Sequence, residues 1–340
     1  MIYTLSYFYR HPDPIYFSVE KLFTGIGRRI ALVYGHEFRI EHKTLPFSSN
    51  WRRLIPNMGF AKRHQSEINH ITGDIHYALL PMGKNKIKVL TVHDCVMLHR
   101  HSKRNPRYWI MKWLWYDLPL RKADAVTVIS ESTKMELLRF TKCDPQKIRI
   151  IPNFVDARFQ PVTREFNKEL PCILFVGSTP NKNLERLIRA VEGIKLRLEI
   201  IGQLSNGQLA LLKKHNIDYH RSSGLSPEAL MEKYIQCDVL AFPSTYEGFG
   251  LPIIEAQAIG RPVLTSDIAP MKDVSGGAAC LVDPYDPASI RKGLTDLLND
   301  GGYRERIVAE GFVNVARFSL DKVADQYVAL YRELLQKSLN

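Results

Sequence analysis

The 340 residues include only five cysteines, Cys95, Cys143, Cys172, Cys237 and Cys280, which are scattered, odd in number and never spaced C-x-x-C. That excludes a disulfide framework and a zinc-ribbon spacing, so the thiols read as buried and reduced. No apolar run reaches the ~18 uninterrupted residues that cross a bilayer. The opening MIYTLSYFYRHPDP also lacks the basic stretch, apolar core and small-residue cleavage site of a secretory leader. The expectation is a cytoplasmic protein without a spanning helix. No G-x-G-x-x-G joins a strand to a helix, which disfavours a dinucleotide-dependent dehydrogenase. Acidic residues are scarce in the first half: residues 1–150 hold 25 Lys+Arg against 12 Asp+Glu, a net +13, while residues 151–340 hold 22 against 23, a net −1. The asymmetry points to an anionic partner for the first half (a phosphorylated acceptor, an anionic lipid surface or nucleic acid) or to a merely soluble basic surface. No nucleic-acid motif accompanies the charge, so nucleic acid is not expected.

What is present is enough for two packed cores. Apolar residues make up 45% and charged residues 24% of the chain, as in ordinary soluble proteins, and single cores stop growing at ~250 to 300 residues. From Pro171 onward the pattern alternates strand and helix: CILFVG, NLERLIRAVEGI, LRLEIIG, NGQLALLKKH, a short segment IDYHRSSG, SPEALMEKYIQC, DVLAFP, LPIIEAQAIG, RPVLTS, AACLVD and PASIRKGLTDLLND. Such repetition specifies a parallel sheet covered on both faces by helices. The first half repeats the grammar with strand IYTLSYF, helix SVEKLFTGIGRRI, strands near ALVYG and INHIT, strand KIKVLTVHD, helix RYWIMKWLWYDLPL, strand AVTVIS, helix ESTKMELLRF and strand IRIIP. The aromatic helix reads as core. Residues 153–171 have no sustained period and read as the linker. The segment SLDKVADQYVALYRELLQK makes a long amphipathic helix with Ser319 as its N-cap. The domains read as 1–155, joined by part of the last helix, about 319–338, and 156–318.

In an open parallel sheet, ligands bind beyond the carboxyl ends of the strands. The sharpest such loop is PSTYEGFGLPIIE, where Gly248 and Gly250 let backbone approach a ligand and the helix starting near Leu251 offers free amides to a phosphate. Glu247 lies in the loop before that helix and Glu255 a full turn inside it. A second loop, GSTPNKN, follows CILFV and contains Lys182. In the first half, KIKVLTV runs into His93 and Asp94 at its carboxyl end. His70 and His76 flank the ITGD turn and read as solvated, with acceptor-site lining as the alternative. Ser130 and Glu131 either reach a cleft or cap the following helix.

The segment Glu247-GFGLPII-Glu255 resembles the hallmark of the family 4 retaining glycosyltransferases, two glutamates separated by seven residues. Four further blocks follow the family's order and spacing: ADAVTVISESTK, IIPNFVD, VGSTPNKNLERLIRA and GLSPEALMEKYIQCDVLAFPS, so that the likeness spans about residues 85–300. The resemblance implies a GT-B architecture, two Rossmann-like domains facing across a cleft, with the last helix crossing back to the first domain. It implies a nucleotide-sugar donor on the second domain and a saccharide or lipid-linked acceptor mainly on the first. By resemblance Glu247 touches the transferred sugar, the backbone at Gly248, Phe249, Gly250 and Leu251 holds sugar hydroxyls and phosphate, and Glu255 bonds the ribose. Leu225 meets the base through its backbone, and Lys182 holds the pyrophosphate. Ser178 stands where many members carry an arginine, so a second cation is missing or comes from elsewhere. His93, backed by Asp94, orients sugar hydroxyls. The glycine-rich loop common after the first strand is replaced by RHPDPIYFSVE, which leaves the acceptor open.

The resulting expectation is a retaining, metal-independent hexosyltransferase without a resident cofactor, working in surface polysaccharide or glycolipid assembly. GDP-mannose is the first choice of donor, and an anionic inner membrane face is the place of peripheral attachment. An epimerase or hydrolase acting on nucleotide-sugars is the enzymatic alternative on the same fold.

Overall fold

The computed structural model describes residues 2–12, 18–100 and 105–339. They divide into two compact units, residues 1–154 with 320–340, and residues 155–319. Within RHPDPIYFSVE, residues 13–17 lie outside the described residues, as does the basic run Lys103-Arg104.

The first unit is built on six parallel strands: β1 (Tyr3–Tyr9), β2 (Phe38–Thr44), β3 (Ile68–Ile71), β4 (Ile87–Val92), β5 (Ala125–Val128) and β6 (Ile148–Ile150), in the spatial order β2-β1-β3-β4-β5-β6. Every residue of β3, β4 and β5 is buried, as expected of strands covered by helices on both faces. One apolar cluster on this sheet gathers Phe8, Leu90, Val126, Trp115 and Tyr116. A second joins Leu5, Phe23, Ile26 and Phe38 to Val323, Tyr327, Val328 and Tyr331 of the last helix, Leu320–Leu339. That helix is therefore part of the first unit's core. It is also fixed by a buried polar chain. Tyr331 Oη lies 3.2 Å from Tyr7 Oη and 2.6 Å from His70 Nδ1, His70 Nε2 lies 2.7 Å from Thr91 Oγ1, and Thr91 Oγ1 lies 2.6 Å from Thr127 Oγ1.

The second unit repeats the design with β7 (Cys172–Val176), β8 (Arg197–Ile201), β9 (Tyr219–Ser222), β10 (Val239–Phe242), β11 (Val263–Ser266) and β12 (Cys280–Val282), in the order β12-β11-β10-β7-β8-β9. All pairings are parallel. Succession runs outward from β7 to one edge and from β10 to the other. The β7/β10 boundary is thus the switch point, where two consecutive loops diverge and leave a crevice. In the first unit the equivalent point lies between β1 and β3.

Several expectations are corrected. The helix Ser18–Tyr34 absorbs ALVY, and the strand lies beyond it at Phe38–Thr44. The segment IDYHRSSG contains β9. Helices at Leu54–Arg63, Met271–Ser275 and Gly301–Val315 were not anticipated. The aromatic helix is only half core: Tyr108, Met111, Trp115, Tyr116 and Leu120 are buried, while Trp109, Ile110 and Trp113 are exposed. All five cysteines are free, and four are buried, with Cys172 only partly so.

Candidate functional site

The switch point of the second sheet brings the β7 and β10 loops together. After β7 the chain turns at Gly177 (φ 97°) and passes through Pro180–Lys182 to Asn183, a buried left-handed residue that precedes the helix Leu184–Val191. Asparagine tolerates that conformation better than most residues. Its side chain Nδ2 donates to Pro243 O at 2.9 Å and Pro284 O at 2.6 Å, while Asn181 Nδ2 donates to Tyr246 O at 3.0 Å and Thr245 N to Asn181 O at 2.8 Å. These bonds stitch one loop to the other. As a result Lys182 Nζ donates to Glu247 Oε1 at 2.6 Å, although the two residues are 65 positions apart. Lys182 Nζ also sits 4.7 Å above the Phe242 ring. A Cβ on Gly177 would come 2.9 Å from Lys182 Cγ and Cε, so glycine there makes room for the lysine stem as well as for the turn.

Gly250 (φ 110°) starts the helix Leu251–Ile259, with Pro252 in its first turn. Proline costs nothing there because its missing N–H would have no intrahelical partner. Phe249 is buried against Phe318 with ring centroids 5.6 Å apart, so only its backbone faces a ligand. Glu255 sits in the second turn and accepts a 2.6 Å hydrogen bond at Oε2 from Tyr234 Oη. Burial lifts its carboxyl to about 7, against the lowering effects of Tyr234 and Lys182, and Asp156 lifts it further.

Ser178 packs against Gly202, where a Cβ would come 2.7 Å from its Oγ, and its carbonyl accepts from Gln208 Nε2 at 3.1 Å. Leu225 is half-buried in the loop after β9, at the sheet's edge and two strands from β7. The structure thus brings Lys182, Glu247 and the Gly248–Leu251 turn into one crevice, with Glu255 one helical turn further on. It leaves Leu225 at the periphery.

In the first unit a cavity of about 500 Å³ opens at the switch point between β1 and β3, lined among others by Arg10, Ser49, Asp74, His76, His93 and Asp94. His93 Nε2–H donates to Thr72 O at 2.7 Å, and burial holds the imidazole below its ordinary pKa. A neutral ring that donates from Nε2 keeps Nδ1 as an acceptor, suited to a hydroxyl. Asp94 is exposed, and its Oδ1 accepts from Val96 N at 2.9 Å. The histidines read as solvated are both buried. His70 belongs to the polar chain above and is pushed down to about 3, while His76 Nδ1–H donates to Trp115 O at 2.6 Å and is pushed down to about 4, each by burial. His70 lies in the buried strand β3 against Phe23 and Tyr327, and His76 packs edge-on against Tyr116, which removes water from both rings. Ser130 caps its helix, with Oγ accepting from Thr133 N at 3.1 Å, and Glu131 pairs with Lys134 at 3.5 Å.

Gly177, Asn181, Asn183 and Tyr234 were missed by sequence reasoning. The left-handed preference of asparagine in NKN was a usable signal. Nothing in the sequence ties Tyr234 to a glutamate 21 residues later.

Two family models match the chain: "Glycosyl transferases group 1" over residues 156–337 and "Glycosyltransferase Family 4" over residues 7–159. The MMP alpha-(1->4)-mannosyltransferase of Mycolicibacterium hassiacum is 28% identical, over 97% of this chain and 84% of that one. The O-antigen chain mannosyltransferase B of Escherichia coli is 35% identical, over 72% of this chain and 70% of that one. Among solved structures, sucrose-phosphate synthase from Thermosynechococcus elongatus superposes with a TM-score of 0.79 at 18% identity, covering 98% of this chain and all of that one, which is a likeness of fold.

Proposed function

Because the chain belongs to the family 4 glycosyltransferases and has their GT-B fold, we propose that it moves mannose from GDP-mannose, with retention and without a metal, to a hydroxyl of a saccharide or lipid-linked acceptor. Glycosyl transfer is the activity its family and relatives carry, and one of the two mannosyltransferases acts on an O-antigen chain. The placing of the donor diphosphate rests on one observation, the Lys182–Glu247 pair at the switch point of the second sheet. A cation held at that crevice, beside the amides opening the helix at Leu251, is placed for a diphosphate that gains negative charge as it departs. When phosphate takes Lys182, the Glu247 carboxylate is released to accept from a sugar hydroxyl. Glu255 accepts from the ribose through the oxygen that Tyr234 does not use. His93 Nδ1 orients a hydroxyl in the first unit's cavity.

In the reaction the acceptor oxygen bonds to the anomeric carbon as the carbon–phosphate oxygen bond breaks on the same face. The acceptor proton passes to the departing phosphate oxygen. No separate protein base is required in that route. The choice of mannose is supported by the two mannosyltransferase relatives.

A thermal-shift comparison of GDP-mannose, UDP-glucose, UDP-N-acetylglucosamine and UDP-galactose tests the donor, since a ligand at a hundred times its dissociation constant adds about 2.7 kcal/mol. Stabilisation by a uridine donor alone would overturn the mannose reading. NMR of the product's anomeric centre tests retention, and donor consumption that proceeds equally without acceptor would instead indicate a hydrolase.

A further inference from the structure

The cavity of about 500 Å³ in the first unit differs in charge from the unit that carries it. That unit holds 28 Lys+Arg against 15 Asp+Glu. Among the described residues, however, the lining sets one Arg, Arg10, against two carboxylates, Asp74 and Asp94. Arg10 is itself matched, with Nε 2.8 Å from Glu20 Oε1 and Nη1 3.9 Å from Asp74 Oδ1. The basic excess of the unit therefore lies outside this cavity.

The polar groups that border it share one hydrogen-bonding sense. His76 is 4% exposed, and its Nδ1–H donates to Trp115 O at 2.6 Å. Burial favours the neutral ring, which then presents Nε2 as a lone pair, and that nitrogen has no hydrogen-bond partner among the described residues. His93 repeats the arrangement with its nitrogens exchanged: Nε2–H donates to Thr72 O at 2.7 Å and Nδ1 keeps the lone pair. Asp74 and Asp94 are exposed, and an ionised carboxylate only accepts. Two imidazole lone pairs and two carboxylates thus face one space.

A nearly buried acceptor without a partner has lost water and gained nothing until a donor arrives. Sugar hydroxyls are such donors: each gives a proton to one of these groups and keeps its oxygen for a donor such as Ser48 or Ser49. A phosphate monoester is mainly dianionic at neutral pH, and brings further acceptors and like charge to the same groups.

We propose that the sugar residue seated in this cavity is uncharged, held by His76 Nε2 and the Asp74 carboxylate, and that these two residues select against phosphorylated acceptors. The proposal rests on the reading above that the cavity receives the acceptor, and it names the acceptor's class. The reacting end is a neutral saccharide, with any phosphate of a lipid carrier held away from it.

The test needs no turnover. Saturation-transfer NMR on the full chain with saturating GDP or UDP gives dissociation constants for methyl α-mannoside, α-glucoside and α-galactoside, and for the 6-phosphate of each. At least one uncharged glycoside should bind, about thirtyfold or more tightly than its phosphate, because the phosphate is brought against like charge. Asp74→Asn keeps the main-chain oxygen that accepts from Trp115 Nε1. It should lower that ratio to about threefold by improving phosphate binding. His76→Phe retains an aromatic ring beside Tyr116 and should weaken the uncharged glycoside about tenfold through the lost acceptor. Thermal shifts with GDP and UDP should be unchanged in both variants, which shows that they are folded. The proposal falls if the phosphates bind as tightly as the uncharged sugars, if no uncharged glycoside binds, or if Asp74→Asn leaves the ratio unaltered. Stabilisation by GDP-mannose in any of these events would leave the donor reading standing, so the two fail separately.

Discussion

The two units share a layered design but not an electrostatic one. The first carries 28 Lys+Arg against 15 Asp+Glu, the second 19 against 20. Their switch points differ in the same sense. In the second unit, two loops are stitched together by asparagine side chains, and the cation at their junction is already matched by a carboxylate. In the first, a cavity of about 500 Å³ is bordered by histidines whose pKa burial lowers. This contrast suits the roles proposed above, since a diphosphate, one invariant chemical feature, can be met by a tightly built loop junction. A site for a varied hydroxyl-bearing acceptor is better served by room and by neutral hydrogen-bonding groups.

The sharpest way to break this contrast is to mutate one residue in each unit. Lys182→Ala should weaken binding of free nucleoside diphosphate by about 1.5–3 kcal/mol, the range for a charged hydrogen bond. His93→Ala should leave that affinity alone and depress transfer. Isothermal titration with the diphosphate, followed by initial-rate assays, separates the two; equal loss of diphosphate affinity in both would erase the division. Glu247→Gln gives a stricter check on the pair, because the carboxylate competes with phosphate for Lys182. Diphosphate affinity should hold or rise while turnover falls.

The next effect depends on pH. With its carboxyl raised from the ordinary 4.5 to about 7, Glu255 favours the fold in its protonated form. That contribution is fully present below about 4.5 and is lost as pH rises toward 7. In the proposed role Glu255 bonds ribose hydroxyls as the ionised carboxylate, so donor affinity should run the other way and fall by up to about tenfold per pH unit below the midpoint. Tyr234→Phe removes a bond that favours ionisation and should move the midpoint upward; an unshifted profile would mean that Tyr234 does not position the carboxylate.

Gly177→Ala should have a smaller effect, about 1–2 kcal/mol for a side chain at positive φ. Part of it should appear as weaker diphosphate binding, because the new Cβ displaces the Lys182 stem. Denaturation and titration on the same variant apportion the two. The smallest effect expected is that of Ser244→Ala. Its hydroxyl is fully buried and has no hydrogen-bond partner among the described residues, so removing it should leave stability within about 0.5 kcal/mol or raise it. A larger loss would indicate that the hydroxyl is paired in solution.

How much of this was legible beforehand follows from where each residue sits. Central strands such as CILFV and KIKVLTV announce themselves because both of their faces are buried. The strands that escaped notice, β2 and β9, are sheet edges with polar, half-exposed sequences, FRIEHKT and YHRS, whose pairing depends on a neighbour rather than on their own pattern. The loops carrying Lys182 and Glu247 were visible as glycine-punctuated strand ends. Their contact was not, because it is set by strand order, which local sequence does not encode. The aromatic helix misled for a related reason. Composition shows how apolar a helix is, while the neighbours decide which of its faces is covered, and they leave Trp109 and Trp113 outside.

The last helix has a consequence for the order in which the protein is made. Its tyrosines close the cluster that begins at Leu5, and Tyr331 shares a buried chain with Tyr7 and His70. The second unit's residues are complete once Ser319 has left the ribosome, and domains fold as units during synthesis. The first unit, although it precedes the second, must wait through the whole of it with its Leu5, Phe23 and Phe38 surface uncovered, until the helix Leu320–Leu339 arrives. A message cut short after residue 319 would therefore yield a finished second unit tethered to an unfinished first one, with the earlier-made unit the one more exposed to proteases and chaperones.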